Sequence, residues 1–182
     1  MNRITPWAAL ALALAAAPAL AEKPHSHGTA NLSVAIEGRQ ITIDLETPLD
    51  NLVGFERAPR NDAERKRVDA AVQRLRQAAQ MFAIDPAAQC TPAKAELTSE
   101  VLGLGASAGK ADAGKGKHDH GEHADLDASY VFDCADPGKA AYIDVGLFEF
   151  GPMARIDVQA VTPKGQLKRT LKRSERRLVL SR

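Results

Sequence analysis

Every histidine of the chain lies in one of two short clusters, His25-Ser26-His27 and His118-Asp119-His120-Gly121-Glu122-His123, five imidazoles in all. Histidine is the one side chain that offers a neutral nitrogen donor near neutral pH, and it is the commonest ligand for Zn, Cu and Ni. Imidazoles scattered through a folded body would suggest packing; crowded beside glycines, they are placed to bind. In His118-x-His120-x2-His123 the rings are close enough along the chain to converge on one ion. Asp119 and Glu122 can supply an oxygen ligand or orient a ring. His25 and His27 add to that site or form one of their own. Three protein ligands leave a position open for exchange, whereas four tetrahedral ligands close it.

The residues before the first cluster have the features of a secretory signal over residues 1–21. Arg3 is the positive end, an Ala/Leu run extends from Trp7 to Ala17, Pro18 breaks it, and Ala19-Leu20-Ala21 fits the small-residue cleavage pattern. The mature chain is then expected to start at Glu22, with no cysteine there to carry a lipid and no apolar run long enough to span a bilayer. An amino-terminal copper motif is excluded on chemical grounds. It needs histidine third with two deprotonated amides before it, but His25 is fourth and Pro24 has no N–H.

Loss of residues 1–21 removes one arginine and no acid from a chain of 24 cations and 23 acids, so the mature protein is formally neutral. This argues against nucleic acid as a partner, which calls for a basic excess. Neither H-E-x-x-H, G-x-S-x-G nor a phosphate-cradling glycine loop occurs, so no enzyme is expected. The length suits a single domain, residues 22–182. Its two cysteines, Cys90 and Cys134, are expected to pair in an oxidising compartment and to brace the base of the loop that carries the second cluster; two thiolate metal ligands are the competing reading.

The elements that must position these groups follow from periodicity. Leu32, Val34 and Ile36, then Ile41, Ile43 and Leu45, alternate with polar neighbours around Gly38-Arg39 and predict a β-hairpin. Val68, Ala71, Val72, Leu75, Ala78, Ala79 and Phe82 share one helical face, which predicts a helix from Asn61 to about Phe82, with Asn61 and Glu64 as a capping pair. Ala93, Ala95 and Leu97 suggest a strand, and residues 103–124, with almost nothing to bury, a flexible histidine-rich loop. Strands are expected again over Leu126–Phe132, over Ile156–Ala160 and Leu167–Leu171 around the Thr162–Gly165 turn, and near Leu178–Leu180. Ala141–Phe150 reads equally as strand or short helix. The sum is an α+β domain: an antiparallel sheet of about 6–7 strands with one long helix packed on it.

The carboxyl end is strongly basic, with Lys168, Arg169, Lys172, Arg173, Arg176, Arg177 and Arg182 against Glu175 alone. Such charge either steers an acidic partner or an anionic membrane face to the protein, or forms the wet face of edge strands. The second reading is favoured here.

Four stretches carry a family likeness: His25-Ser26-His27-Gly28-Thr29-Ala30-Asn31-Leu32; Asn51-Leu52-Val53-Gly54-Phe55-Glu56-Arg57-Ala58-Pro59; Ala124 to Cys134; and Asp144-Val145-Gly146-Leu147-Phe148-Glu149 with Val161-Thr162-Pro163-Lys164-Gly165-Gln166. In their order and spacing the chain resembles the ZrgA-type periplasmic proteins linked to zinc uptake. The resemblance implies Zn(II) as the metal, where spacing alone does not separate Zn from Cu or Ni. It also implies capture or hand-over beside a zinc ABC importer or its binding protein; with the signal segment, the expectation is a monomeric or weakly associating protein of the periplasm. His25, His27, His118, His120 and His123 match the family's histidine-bearing amino end and variable loop. Arg57 is a departure, because the family often carries histidine before Ala58-Pro59. The rival readings are a general Cu/Ni/Zn buffer or chaperone and a secreted interaction domain without a physiological metal.

Overall fold

The computed structural model describes residues 27–105 and 124–180. The alternation around Gly38-Arg39 gives β1 (Thr29–Glu37) and β2 (Gln40–Pro48), paired antiparallel from Asn31 opposite Glu46 to Glu37 opposite Gln40. Gly38 sits at φ +55°, in the left-handed region a tight two-residue hairpin turn requires. After β2 the chain enters α1 (Asp50–Val53), which ends at Gly54 (φ +82°), whose N–H donates to the Asp50 carbonyl.

The long helix expected over Asn61–Phe82 is broken in two. Asn61 caps α2 (Asp62–Leu75) by accepting from the Glu64 N–H, but at Gln77 the backbone leaves helical geometry (φ −86°, ψ 69°). A single turn, α3 (Ala78–Met81), then leads directly into β3 (Phe82–Ile84). Among the described residues the three α-helices are thus short, and no long helix lies across the sheet. The chain continues with β4 (Cys90–Thr98), β5 (Asp125–Cys134), β6 (Tyr142–Val145), β7 (Arg155–Thr162), β8 (Gly165–Lys172) and β9 (Arg177–Val179). Residues 141–150 are both of the things the sequence allowed, since β6 is followed at once by a 3-10 turn over Gly146–Glu149.

Two sheets result. The larger has the order β4-β5-β2-β1-β7-β8 and the smaller β3-β6-β9. The expectation of a wholly antiparallel sheet fails at one seam, where β1 runs parallel to β7 from Thr29 beside Arg155 to Ala35 beside Val161. The larger sheet buries one face through Leu32, Val34, Ile41, Ile43, Leu126, Tyr130, Ile156 and Val158. Its other face presents Ser33, Asp44, Glu46 and Asp127, exposed and with no strand or helix of the described residues over them, as an antiparallel sheet with one solvated face does. Phe82 of the smaller sheet meets Tyr130 of the larger edge to face, with ring centroids 4.9 Å apart, so the apolar core lies between the two.

The expected disulfide joins Cys90 to Cys134, which are direct cross-strand partners of β4 and β5. Its place differs from the expectation. The bond closes the end of the β4–β5 hairpin opposite to the one from which residues 106–123 run, so it ties the two strands together without bracing the base of that loop. The loop base at Ser99–Gly105 is held instead by main-chain bonds between Ser99 and Leu104, and at Ala124 by the Leu49 N–H, 2.7 Å from the Ala124 carbonyl.

Candidate metal centre

The register of the first hairpin brings the site together. The ladder ends at the Asn31–Glu46 pair, and beyond it the turn that carries His27 and the start of α1 at Asp50 emerge at the same end of the sheet. His27 Nδ1 is hydrogen-bonded to Asp50 Oδ2, and Glu56 Oε1, carried back by the chain after α1, lies 3.7 Å from the same nitrogen. One ligand atom from each of the three residues lies within 4.8 Å of the others. The imidazole is open to solvent, its side chain 70 % exposed, while Asp50 and Glu56 are 18 % and 20 % exposed, so two part-buried carboxylates back an accessible nitrogen.

The backbone beneath this group is fastened by Asn51, which is completely buried. Its side-chain oxygen accepts from the Gly28 N–H at 2.6 Å, and its amide donates to the Thr29 carbonyl at 2.8 Å and to Thr47 Oγ1 at 3.1 Å. One side chain therefore stitches the start of β1, the end of β2 and α1 within a residue or two of His27 and Asp50. Gly28 is at φ +79°, and its carbonyl accepts from both Ala154 and Arg155 at 2.9 Å, which locks the same corner to β7.

Electrostatics favour positive charge here. The Asp50 hydrogen bond, then the charges of Asp50 and Glu56, hold His27 above the ordinary histidine value of 6.5. A position that stabilises a proton on imidazole between two carboxylates also suits a metal cation that replaces that proton. Asp50 Oδ1 is buried with no hydrogen-bond partner among the described residues, a lone-pair site of the kind a cation satisfies. One imidazole nitrogen and two carboxylate oxygens form a donor set that fits Zn(II), with a fourth position left to solvent or another ligand; soft Cu(I) would call for sulfur.

Next to Glu56 the surface dips into a groove of about 640 Å³ lined by Arg57, Thr98, Glu100, Ala124 and Asp127. Arg57 adds little positive charge to it, because its guanidinium is engaged by both carboxylate oxygens of Glu64, at 2.7 and 2.9 Å, and lies over the Phe55 ring. That pairing, helped by the Arg60 N–H, draws Glu64 down to about 2.

Of the metal residues expected from sequence, the structure places His27 in this triad. His25, His118, Asp119, His120, Glu122 and His123 lie outside the described residues. Asp50 and Glu56 were not foreseen.

A mixed, mostly β protein with a histidine–carboxylate cluster at one corner of its main sheet belongs to the class of candidate metal-binding proteins. The family is more definite. Residues 24–180 match the model of the ZrgA family zinc uptake protein, and the chain belongs to that family. No curated protein matches the chain. Among the described residues, no helix is long and apolar enough to cross a membrane.

Proposed function

We propose that the protein captures Zn(II) as cargo in the bacterial periplasm and hands it over during zinc uptake, acting as a binding protein and not as an enzyme. Family membership supports zinc. The observation that carries a site within the fold is the convergence of His27, Asp50 and Glu56. In this reading the triad supplies three ligands on a fixed frame, and the open fourth position accepts a donor from elsewhere. His25, His118, His120 and His123 are the chain's own further donors, with Asp119 and Glu122 as companions, and a ligand of a zinc importer or its binding protein is the acceptor. An incompletely closed first shell suits a carrier, since a site with a free position exchanges its ion by ligand substitution, whereas a closed four-ligand site retains it.

The test is competition of residues 22–182 against a calibrated zinc chelator, for the unchanged chain and for His27→Ala, Asp50→Asn and the joint His118→Ala, His120→Ala, His123→Ala change. Submicromolar binding is expected, weakened by about tenfold or more for either triad variant, the loss typical when a metal's supporting shell is cut. Equal affinity in the triad variants would remove the corner from the function and leave the histidine cluster alone. Higher affinity for Ni(II) than for Zn(II) under the same competition would favour a general metal buffer.

A further inference from the structure

The basic carboxyl-terminal run is unused by the zinc site, and the fold gives it a definite position. β8 is an edge strand of the larger sheet, paired with β7 on one side only. Two of the run's arginines are spent internally: Arg173 donates to the carbonyls of Phe148, Phe150, Gly151 and Met153, and Arg177 pairs with Asp144 at 2.7 Å. Lys168, Arg169 and Lys172 are exposed and form no ion pair with any described residue; Arg176, also exposed, contributes its charge to Asp144 without a close ion pair, and Glu175 is the one acid within the run.

Edge strands commonly carry lysine to prevent association, but a charge or two suffices for that. Here the cations extend past the strand into the turn that leads to β9, where no ladder is left open. We propose that this ridge, Lys168 to Arg176, docks an acidic protein partner.

Shape favours a protein over an anionic membrane. Leu167 and Leu171 point to the core, so Lys168 and Lys172 stand on the solvated face of the sheet while Arg169 projects from the other side of the strand. The cations straddle an edge instead of covering a plane, and the only large exposed apolar side chains among the described residues, Val161 and Val179, belong to strands of different sheets. A second copy of this chain placed edge to edge would set cation against cation.

The ridge also starts beside the metal centre. Thr29 pairs with Arg155 and Arg155 with Lys172, so Lys172 is two strand spacings, about 10 Å, from the strand end that follows His27. A partner held there has the zinc corner within reach, and one that itself accepts a cation is expected to be rich in carboxylates. The usefulness of this position rests on the zinc reading above; the docking itself does not.

The probe is a fluorescein-labelled peptide with glutamate at alternate positions, followed by anisotropy against residues 22–182. Vesicles containing phosphatidylglycerol are the comparison. The peptide is expected to bind, and to weaken about tenfold both at high salt and in the joint Lys168→Glu, Lys172→Glu, Arg176→Glu variant. The corresponding triple Gln variant should lie between, and a thermal scan of each verifies folding. Zinc affinity should stay unchanged in both, while Asp50→Asn should lose zinc and keep the peptide, so that failure of either reading shows separately. Equal peptide binding by the Glu variant, or binding of vesicles in place of peptide, would overturn the proposal.

Discussion

The Asp50 carboxylate favours the protonated form of His27 in the metal-free protein, whereas a bound ion would take the place of that proton, so pH should act on the two forms in opposite directions. Its folded pKa is raised above 6.5 by the Asp50 hydrogen bond. The protonated ring therefore stabilises the metal-free fold fully below pH 6.5, and that contribution disappears as pH rises through the raised folded value. Zinc must displace the same proton, so affinity should fall as pH drops through that value, beginning above 6.5. Thermal scans of the metal-free protein should show the first trend, lost in His27→Ala, and chelator competition at several pH values the second; zinc affinity flat from pH 7.5 to 5.5 would contradict a histidine ligand. Asn51 should matter as much without touching the ion. Asn51→Ala removes the partner of the Gly28 N–H and of the Thr29 carbonyl at a part-buried corner, for an expected loss of about 2 kcal/mol of stability. At a temperature where the variant is still folded, its zinc affinity should also drop, whereas a core variant of comparable cost, such as Ile143→Ala at about 2 kcal/mol or more, should bind as before.

The elements show which parts of this arrangement a sequence can disclose. The hairpin around Gly38-Arg39 was legible because alternation and a two-residue turn fix register, and that register brings the chain before β1 and the chain after β2 to the same end of the sheet. Asp50 and Glu56 were missed because a carboxylate, unlike a histidine in a cluster, is an ordinary surface residue until its partner is known. The helix break at Gln77 had no local signal, neither glycine nor proline. It follows from tertiary demand: Phe82 has to pair as a strand opposite Val145 and reach Tyr130, and helix propensity yields to that packing. The parallel seam between β1 and β7 joins residues more than a hundred positions apart, beyond any periodicity. Loop boundaries were set too wide for the same reason. Leu104 packs against the core and bonds to Ser99, and Ala124 accepts from Leu49, so both ends of the stretch 103–124 are anchored, while residues 106–123 lie outside the described residues. Replacing 106–123 by a short glycine linker should leave the midpoint of thermal unfolding nearly unchanged. Deleting 103–124 should cost about 1–2 kcal/mol through the lost main-chain bonds; equal stability of the two deletions would show that these anchors contribute nothing.

On the scale of the whole molecule, stability and binding are assigned to opposite ends of the larger sheet. Pro48 pairs with Asp125 at the end that leads into Asp50, and Gln40 pairs with Asp133 at the other, beside Cys134 and its bond to Cys90. Eight strand residues separate these ends, about 27 Å at the usual rise. The disulfide closes a loop of about 45 residues, for which the chain-entropy model gives roughly 4 kcal/mol as an upper figure, acting on the unfolded chain and not on the corner. Cys90→Ser with Cys134→Ser should therefore lower unfolding free energy by about 2–4 kcal/mol in a denaturant titration. Zinc affinity should stay within about twofold of the parent under conditions where both are folded, because changes at sites this far apart with no shared partner are independent. A larger loss of affinity would mean that the sheet transmits strain from the bridge to His27 and Asp50, and that the corner is less firmly held by Asn51 and the Gly28 carbonyl than its hydrogen bonds imply.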